Sequence, residues 1–362
     1  MLKNQFCPHF VHIICGHFFV YSVSNLTSLT VLLNTNKQLT NTTDNGIIYR
    51  EVMTMKFMTT KEAAEKWEIS ERRIRQLLEE GRIEGAIKNG NSWNIPDYAI
   101  KPVDKRSVRP DNKGFIIDLP VNFFDKVDNM KKELDSKRPF PKETLRTLKE
   151  SINLEWTYNS NGIEGNTLTL RETQVVLEGI TVGGKTLKEH LEAINHEKAI
   201  LYLDDLVKEK KPITEWNIKN IHRLVLKDID DKNAGRYRTE NVMIKGAVHV
   251  PPDYLKVPEL MEKLIVNYNS WSSYHPIIRA ALLHGELVKI HPFVDGNGRT
   301  SRLLMNLDLM NHGFNPVIIK KEDRLKYYEA LDKAHTTGSY TDFIKLITKL
   351  EIEMLKKYLE LL

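Results

Sequence analysis

From residue 141 onward the apolar positions recur at three- and four-residue steps, and this rhythm predicts helices. The clearest runs cover about 171–178, 186–209, 214–227, 277–290, 299–310 and 340–362. Pro141 opens an earlier one at a position where a missing N–H costs nothing. Its stripe runs through Leu145, Leu148, Ile152 and Leu154. Thr169 and Glu172 have the spacing of a capping box, and Leu346, Ile347, Leu350 and Met354 form the last stripe. Two stretches alternate instead: 83–95 around Asn89-Gly90, and 241–250 around Lys245-Gly246, stopped by Pro251-Pro252. Both predict hairpins. The expected fold class is mainly α.

The pattern divides the chain. Residues 55–108 predict a short helix at 60–67, a Ser70-capped helix at 71–80 ended by Gly81, then the first hairpin. Helix, tight turn, helix and hairpin make a small winged helix-turn-helix. Arg72, Arg73 and Arg75 lie near the start of its second helix, where recognition helices meet base edges, so DNA is a candidate partner, with protein–protein docking as the alternative. Residues 109–140 follow a polar, turn-rich stretch and read as a linker, and 141–362 as the main domain. Residues 1–54 differ from all of this. Their apolar run carries His9, His12 and His17 and passes into an Asn- and Thr-rich stretch, which suits neither a signal peptide nor a membrane span. They read as a disordered or non-native leader. Arg50-Glu51-Val52 can be encoded by a ribosome-binding sequence, which makes Met55 a candidate start.

Composition changes little. Hydrophobic residues at 41% and charged ones at 28% suit a cytoplasmic globular protein without a membrane segment, and a net charge of +5 permits nucleic-acid contact without arguing for it. Both cysteines, Cys7 and Cys15, lie in the leader, so the rest holds no disulfide framework. His190 and His196 lack a third converging ligand for zinc.

The chemistry concentrates in residues 291–302, His-Pro-Phe-Val-Asp-Gly-Asn-Gly-Arg-Thr-Ser-Arg. Gly296 and Gly298 let the backbone bend close to a ligand. The loop opens a helix, so its free N–H groups, those of Gly296, Asn297 and Gly298, make an anion site. Arg299 and Arg302 project from one side of the first turn and can take phosphate oxygens. Asp295 is a hard oxygen ligand suited to Mg²⁺ on phosphates, and His291 can act as a base near neutral pH. Together they describe phosphate chemistry on a nucleotide.

This segment resembles the signature of the Fic family without departure, and the resemblance extends over about residues 140–350. It implies a helical domain that transfers AMP from ATP to a hydroxyl of a target protein or of the chain itself. His291 would deprotonate that hydroxyl, Asp295 would hold Mg²⁺, and the loop amides with Arg299 and Arg302 would bind the phosphates. Phe293 would anchor the loop. The 241–250 hairpin, with Val242, Ile244, Lys245 and Gly246, would be a flap that aligns the target segment. Tyr327 would contact the nucleoside. Ser160-x-x-x-Glu164-Gly165 resembles the inhibitory motif of Fic proteins that carry it before the core, in which the glutamate pairs with the second arginine, here Arg302. Two further readings stay open: removal of AMP by the same site, and a nucleotide-sensing transcription regulator.

The winged helix-turn-helix stretch resembles the excisionase and MerR-like family over about fifty residues.

Overall fold

The computed structural model describes residues 56–90, 92–97, 99, 101–102 and 114–361, with the backbone of two paired dipeptides, Ile13–Ile14 and His17–Phe18. The chain divides into two compact units, residues 1–54 and 55–362. The expected leader and the candidate start at Met55 lie, apart from those four residues, outside the described ones.

The second unit begins with strand β1 (Phe57–Met58), helices α1 (Thr60–Trp67) and α2 (Glu71–Glu79), and strands β2 (Ile87–Asn89) and β3 (Ser92–Pro96). Ser70 caps α2 by accepting the Arg73 N–H at 3.3 Å. β3 pairs antiparallel with both other strands, in register Phe57↔Pro96 and Lys88↔Trp93. Ala63, Trp67, Ile74, Leu77 and Ile95 bury a small separate core between the helices and the sheet. The Glu84 carboxylate accepts the Trp216 N–H at 2.8 Å, and so joins this module to the body at a helix N-terminus.

The body is helical: α3 (Asp125–Ser136), α4 (Lys142–Ile163), α5 (Leu170–Leu177), α6 (Leu187–Lys208), α7 (Glu215–Leu226), α8 (Val257–Ser270), α9 (Pro276–Ile290), α10 (Asn297–Asn311), α11 (Arg324–Thr337) and α12 (Thr341–Leu361). α9 is apolar and buried over most of its surface, with Arg279, Glu286 and Lys289 only partly covered. Ile277, Ala280, Ala281, Leu282, Leu283 and Leu287 are all fully buried, so it forms the axis on which the others pack. α10 follows it and is buried along most of its length. Asn306 does not support the 291–302 loop. Its amide donates to the Val317 carbonyl and its oxygen accepts the Val317 N–H, both at 2.9 Å.

Two expectations are corrected. The linker expected over 109–140 contains α3, whose Val127 and Leu134 enter the core with Met130 packed against it. Its apolar residues recur at helical spacing within a charged segment, so composition hid the stripe. The flap segment is not a paired hairpin either. Residues 241–250 form an extended loop with a turn at Lys245-Gly246, closed by the Ala247 N–H on the Ile244 carbonyl at 3.2 Å. The loop's bonds go elsewhere. Asn241 donates to Asp253 at 3.1 Å, and His249 donates to the Lys289 carbonyl at 2.8 Å.

Candidate active site

α9 ends at His291, whose N–H bonds the Leu287 carbonyl and whose φ of 50° turns the chain left-handed out of the helix. Such a backbone is uncommon for a residue with a Cβ and needs support from its surroundings. Arg238 supplies it. Its N–H donates to the Pro292 carbonyl at 2.9 Å and its Nε to the His291 carbonyl at 2.9 Å. The same guanidinium donates to the Glu240 carbonyl at 2.9 Å and to the Pro252 carbonyl, at the two feet of the flap segment. No motif or spacing in the sequence marks Arg238 for this role.

Phe293 then enters the core and stacks on His222, ring centres 3.6 Å apart. His222 accepts the Gly235 N–H on Nδ1 at 2.9 Å, so its Nε2 carries the proton and donates to the Asp295 carbonyl, also at 2.9 Å. Asn297 closes the loop: its Oδ1 accepts the Phe293 N–H at 3.0 Å and its Nδ2 donates to the Phe293 carbonyl at 2.8 Å. The Asn297 side chain is therefore a clasp, and only its backbone remains for an anion. Gly296 takes φ 76° against the His222 ring and begins α10.

α4 runs unbroken through Gly162, which brings Ser160 and Glu164 onto the face that meets α10. Arg302 is buried, 3% exposed. Its Nε donates to Ser160 Oγ at 3.1 Å, and its Nη2 to the Ser160 carbonyl at 2.8 Å and to Glu164 Oε1 at 2.7 Å. A Cβ on Gly298 would stand 2.2 Å from that same Glu164 oxygen. The carboxylate thus lies on the first turn of α10, where free N–H groups and the helix dipole favour an anion.

Arg299 is equally buried. Its Nη1 stands 3.2 Å from Glu192 and its Nη2 3.5 Å from Asp295. The Asp295 side chain is half exposed at the rim, with Lys188 4.0 Å away. Burial pushes its carboxyl up, but Arg299, the Gly296 amide and Lys188 together hold it below the usual range. No cluster of three or more His, Cys, Asp or Glu that could hold a metal occurs among the described residues. One ionised, accessible carboxylate beside Arg299 and Lys188 fits Mg²⁺ only if phosphates supply other ligands.

Burial pulls the His291 imidazole down to about 4, against its bond to the Val288 carbonyl. Nδ1 donates that bond at 3.3 Å, so the neutral ring presents Nε2 as the acceptor.

Tyr327 departs from expectation. Its ring is 1% exposed, and its hydroxyl bonds His284 at 2.9 Å in the core. The register of α11 turns the next residue outward: Tyr328 is 40% exposed and its hydroxyl bonds the Ile163 carbonyl at 3.4 Å, beside Glu164. His335 spends its Nε2 on the Gly285 carbonyl at 2.9 Å. On the flap, Val242 and Ile244 are half-buried while Lys245 and Gly246 are exposed.

Several buried histidines share one acid response. Burial lowers His222 and His291 to about 4, His335 to about 3, and His196 and His284 well below 6.5. Below pH 6.5 the unfolded chain therefore binds more protons than the folded one. Stability is full above that pH and falls by roughly 1.4 kcal/mol per pH unit for each such histidine. His312, raised by Asp308, and the buried Glu351 carboxyl, pushed up to about 8, act in the opposite sense but are outnumbered. Melting curves from pH 7.5 to 4.5 should show a Tm that drops steeply below 6; a constant Tm would contradict this.

Known proteins resemble this chain in sequence and fold. The profile of the Fic/DOC family matches residues 212–309. Fic-1 from C. elegans (aa134–508) is 35% identical with a TM-score of 0.59; the match covers 66% of this chain and 71% of that one. The chain belongs to the Fic family. A Fic-domain signaling protein from Bacteroides thetaiotaomicron gives a TM-score of 0.61 at 29% identity, over 65% of this chain and 96% of that one. Among curated relatives, the protein adenylyltransferase Fic of Nematostella vectensis is 38% identical over 268 residues, 71% of this chain. That of Drosophila virilis is 42% identical over 218 residues, 59% of this chain. The chain spans 61% and 44% of the length of these two Fic relatives. No helix among the described residues is long and apolar enough to cross a membrane.

Proposed function

We propose that the chain is a protein adenylyltransferase that transfers AMP from ATP to a hydroxyl of a target protein or of itself, and that Glu164 holds it off. The observation that carries this reading is the Glu164 carboxylate on Arg302, seated on the anion-binding turn of α10 beside a neutral His291. A base, two buried arginines and open amides are present, and a carboxylate stands where a phosphate would go.

His291 Nε2 accepts the proton of the target hydroxyl as its oxygen bonds to the α-phosphorus. The bond from that phosphorus to the bridging oxygen breaks, and pyrophosphate leaves. Arg302, once free of Glu164, and Arg299 hold the phosphates, and the amides at the start of α10 face the developing charge. Asp295 would hold Mg²⁺, which when bound neutralises phosphate charge. The extended 241–250 segment spends few backbone groups on itself, so a target strand can pair along it. Exposed Met243, Val248 and Val250 offer that strand apolar contact. Exposed Tyr328, rather than buried Tyr327, would contact the nucleoside. The test is incubation with Mg²⁺ and labelled ATP, followed by mass spectrometry of the product. An AMP mass on a hydroxyl residue supports the reading, and its absence from the Glu164→Gly form rejects it.

The module at 56–102 has the helix, turn, helix and hairpin of a winged helix-turn-helix, and we read it as a DNA-binding unit. Arg72 and Arg75 are exposed; Arg73 is half-buried and donates to Gln76 at 2.8 Å, and Arg75 pairs Glu71 at 3.1 Å. Replacing Arg72 and Arg75 by alanine should weaken binding to the upstream DNA of the chain's own gene. It should also flatten the salt dependence by about two units of slope. Gel shifts at several salt concentrations check this, and an unaltered slope would refute the assignment.

A further inference from the structure

Outside the motif, one buried carboxylate pairs with Arg299 through one oxygen and accepts a hydrogen bond on the other. Glu192, on α6, is 8% exposed. Its Oε1 lies 3.2 Å from Arg299 Nη1, and its Oε2 accepts the Asn166 amide at 2.9 Å. Its backbone carbonyl accepts the Asn161 amide at 3.2 Å. Residues on both sides of Glu164 are thus tied to one residue of α6.

The charge balance at Arg299 gives this weight. Its side chain is 2% exposed, and two carboxylates face it, Glu192 and Asp295. Asp295 is the one assigned to a metal ion, and its side chain is 51% exposed. With Asp295 committed to a metal ion, Glu192 would be the anion left against a buried guanidinium, which cannot stay unpaired without large cost.

We propose that Glu192 is a positioning residue of the nucleotide site: one oxygen orients Arg299, and the other anchors Asn166 so that Glu164 swings from Arg302 without carrying its turn away. Gly165, at φ 99°, lies between the carboxylate that moves and the amide that stays, in a conformation that allows a hinge. The Arg299 half rests on the adenylyltransferase reading. The Asn166 half does not.

Variants separate the two halves because a carboxylate accepts on both sides and an amide on one. Glu192→Gln turns its oxygen to Arg299 and sets its NH₂ against the Asn166 NH₂. It keeps the first half and loses the second. Asn166→Ala also loses only the second, and Glu192→Ala loses both. In the Glu164→Gly background, Glu192→Ala should raise KM for ATP at least tenfold while kcat stays within threefold, and Glu192→Gln, which keeps the contact to Arg299 without its charge, should raise KM by a smaller factor. With Glu164 intact, amide hydrogen exchange across 164–168 should quicken at least fivefold in all three variants. A KM for Glu192→Ala within twofold of its parent, or kcat falling with KM and Tm together, overturns the positioning role. Unchanged exchange overturns the anchor. If the Glu164→Gly form transfers no AMP, the adenylyltransferase reading fails, and the exchange measurement still decides the anchor. Glu192→Gln is isosteric and carries that measurement should the alanine form not fold.

Discussion

Replacing Glu164 by glycine is expected to raise AMP transfer roughly ten- to hundredfold. Glu164 donates no bond to the fold that the helix does not make without it. Its carboxylate makes one charge-assisted bond, 2.7 Å to Arg302. Such a bond stabilises by about 1.5–3 kcal/mol, and about 1.4 kcal/mol is a factor of ten in occupancy. Removing it frees Arg302 and the first turn of α10 together, because the same oxygen covers Gly298. Arg302 keeps both of its bonds to Ser160, so the folded state survives the change. Glu164→Gln should fall between, since an amide oxygen still accepts from Arg302 without the charge. Initial rates of label incorporation from ATP measure the effect. Equal rates for the parent and glycine forms would remove the switch.

Replacing His291 by alanine in that activated background should cost about 10² to 10⁴ in rate, the range for loss of a general base. ATP binding should change little, because Arg299 and Arg302 are held there by Glu192, Asp295 and Ser160 rather than through the imidazole. Rate and nucleotide affinity therefore separate in this variant. With a pKa of about 4, the His291 limb of the rate profile stays flat from neutral pH down to about 5 and falls only below. Transfer that persists in the alanine form would deny His291 the role of base. Nucleotide affinity lost along with rate would deny the separation.

Much of the helical body was legible. Where an apolar stripe stood against polar surroundings, as in α9 or α12, the expected and observed boundaries agree within a residue or so. The capping box at Thr169 and Glu172 formed as its spacing implied. α3 was missed because its stripe sits among lysines and aspartates. The flap was misjudged because alternation shows which faces can be buried, not which backbone will pair. Its arms bond to Asp253 and Lys289 instead of to each other.

The catalytic motif shows the same division on a smaller scale. Its twelve residues by themselves carried the proposed chemistry: a base, a carboxylate, an anion-binding turn and two arginines follow from residue type and spacing alone. Only the tertiary structure decided what each is bonded to. It seated Glu164 on Arg302 across 138 residues of chain and turned Tyr327 inward and Tyr328 outward. It also brought Arg238 under His291 and Glu192 beside Arg299. Local order along the chain sets helix and turn through short-range bonds and sterics. Partners far apart in sequence meet only through the packing of α4, α6 and the flap against α10, and that packing leaves no periodic signal at a single charged residue.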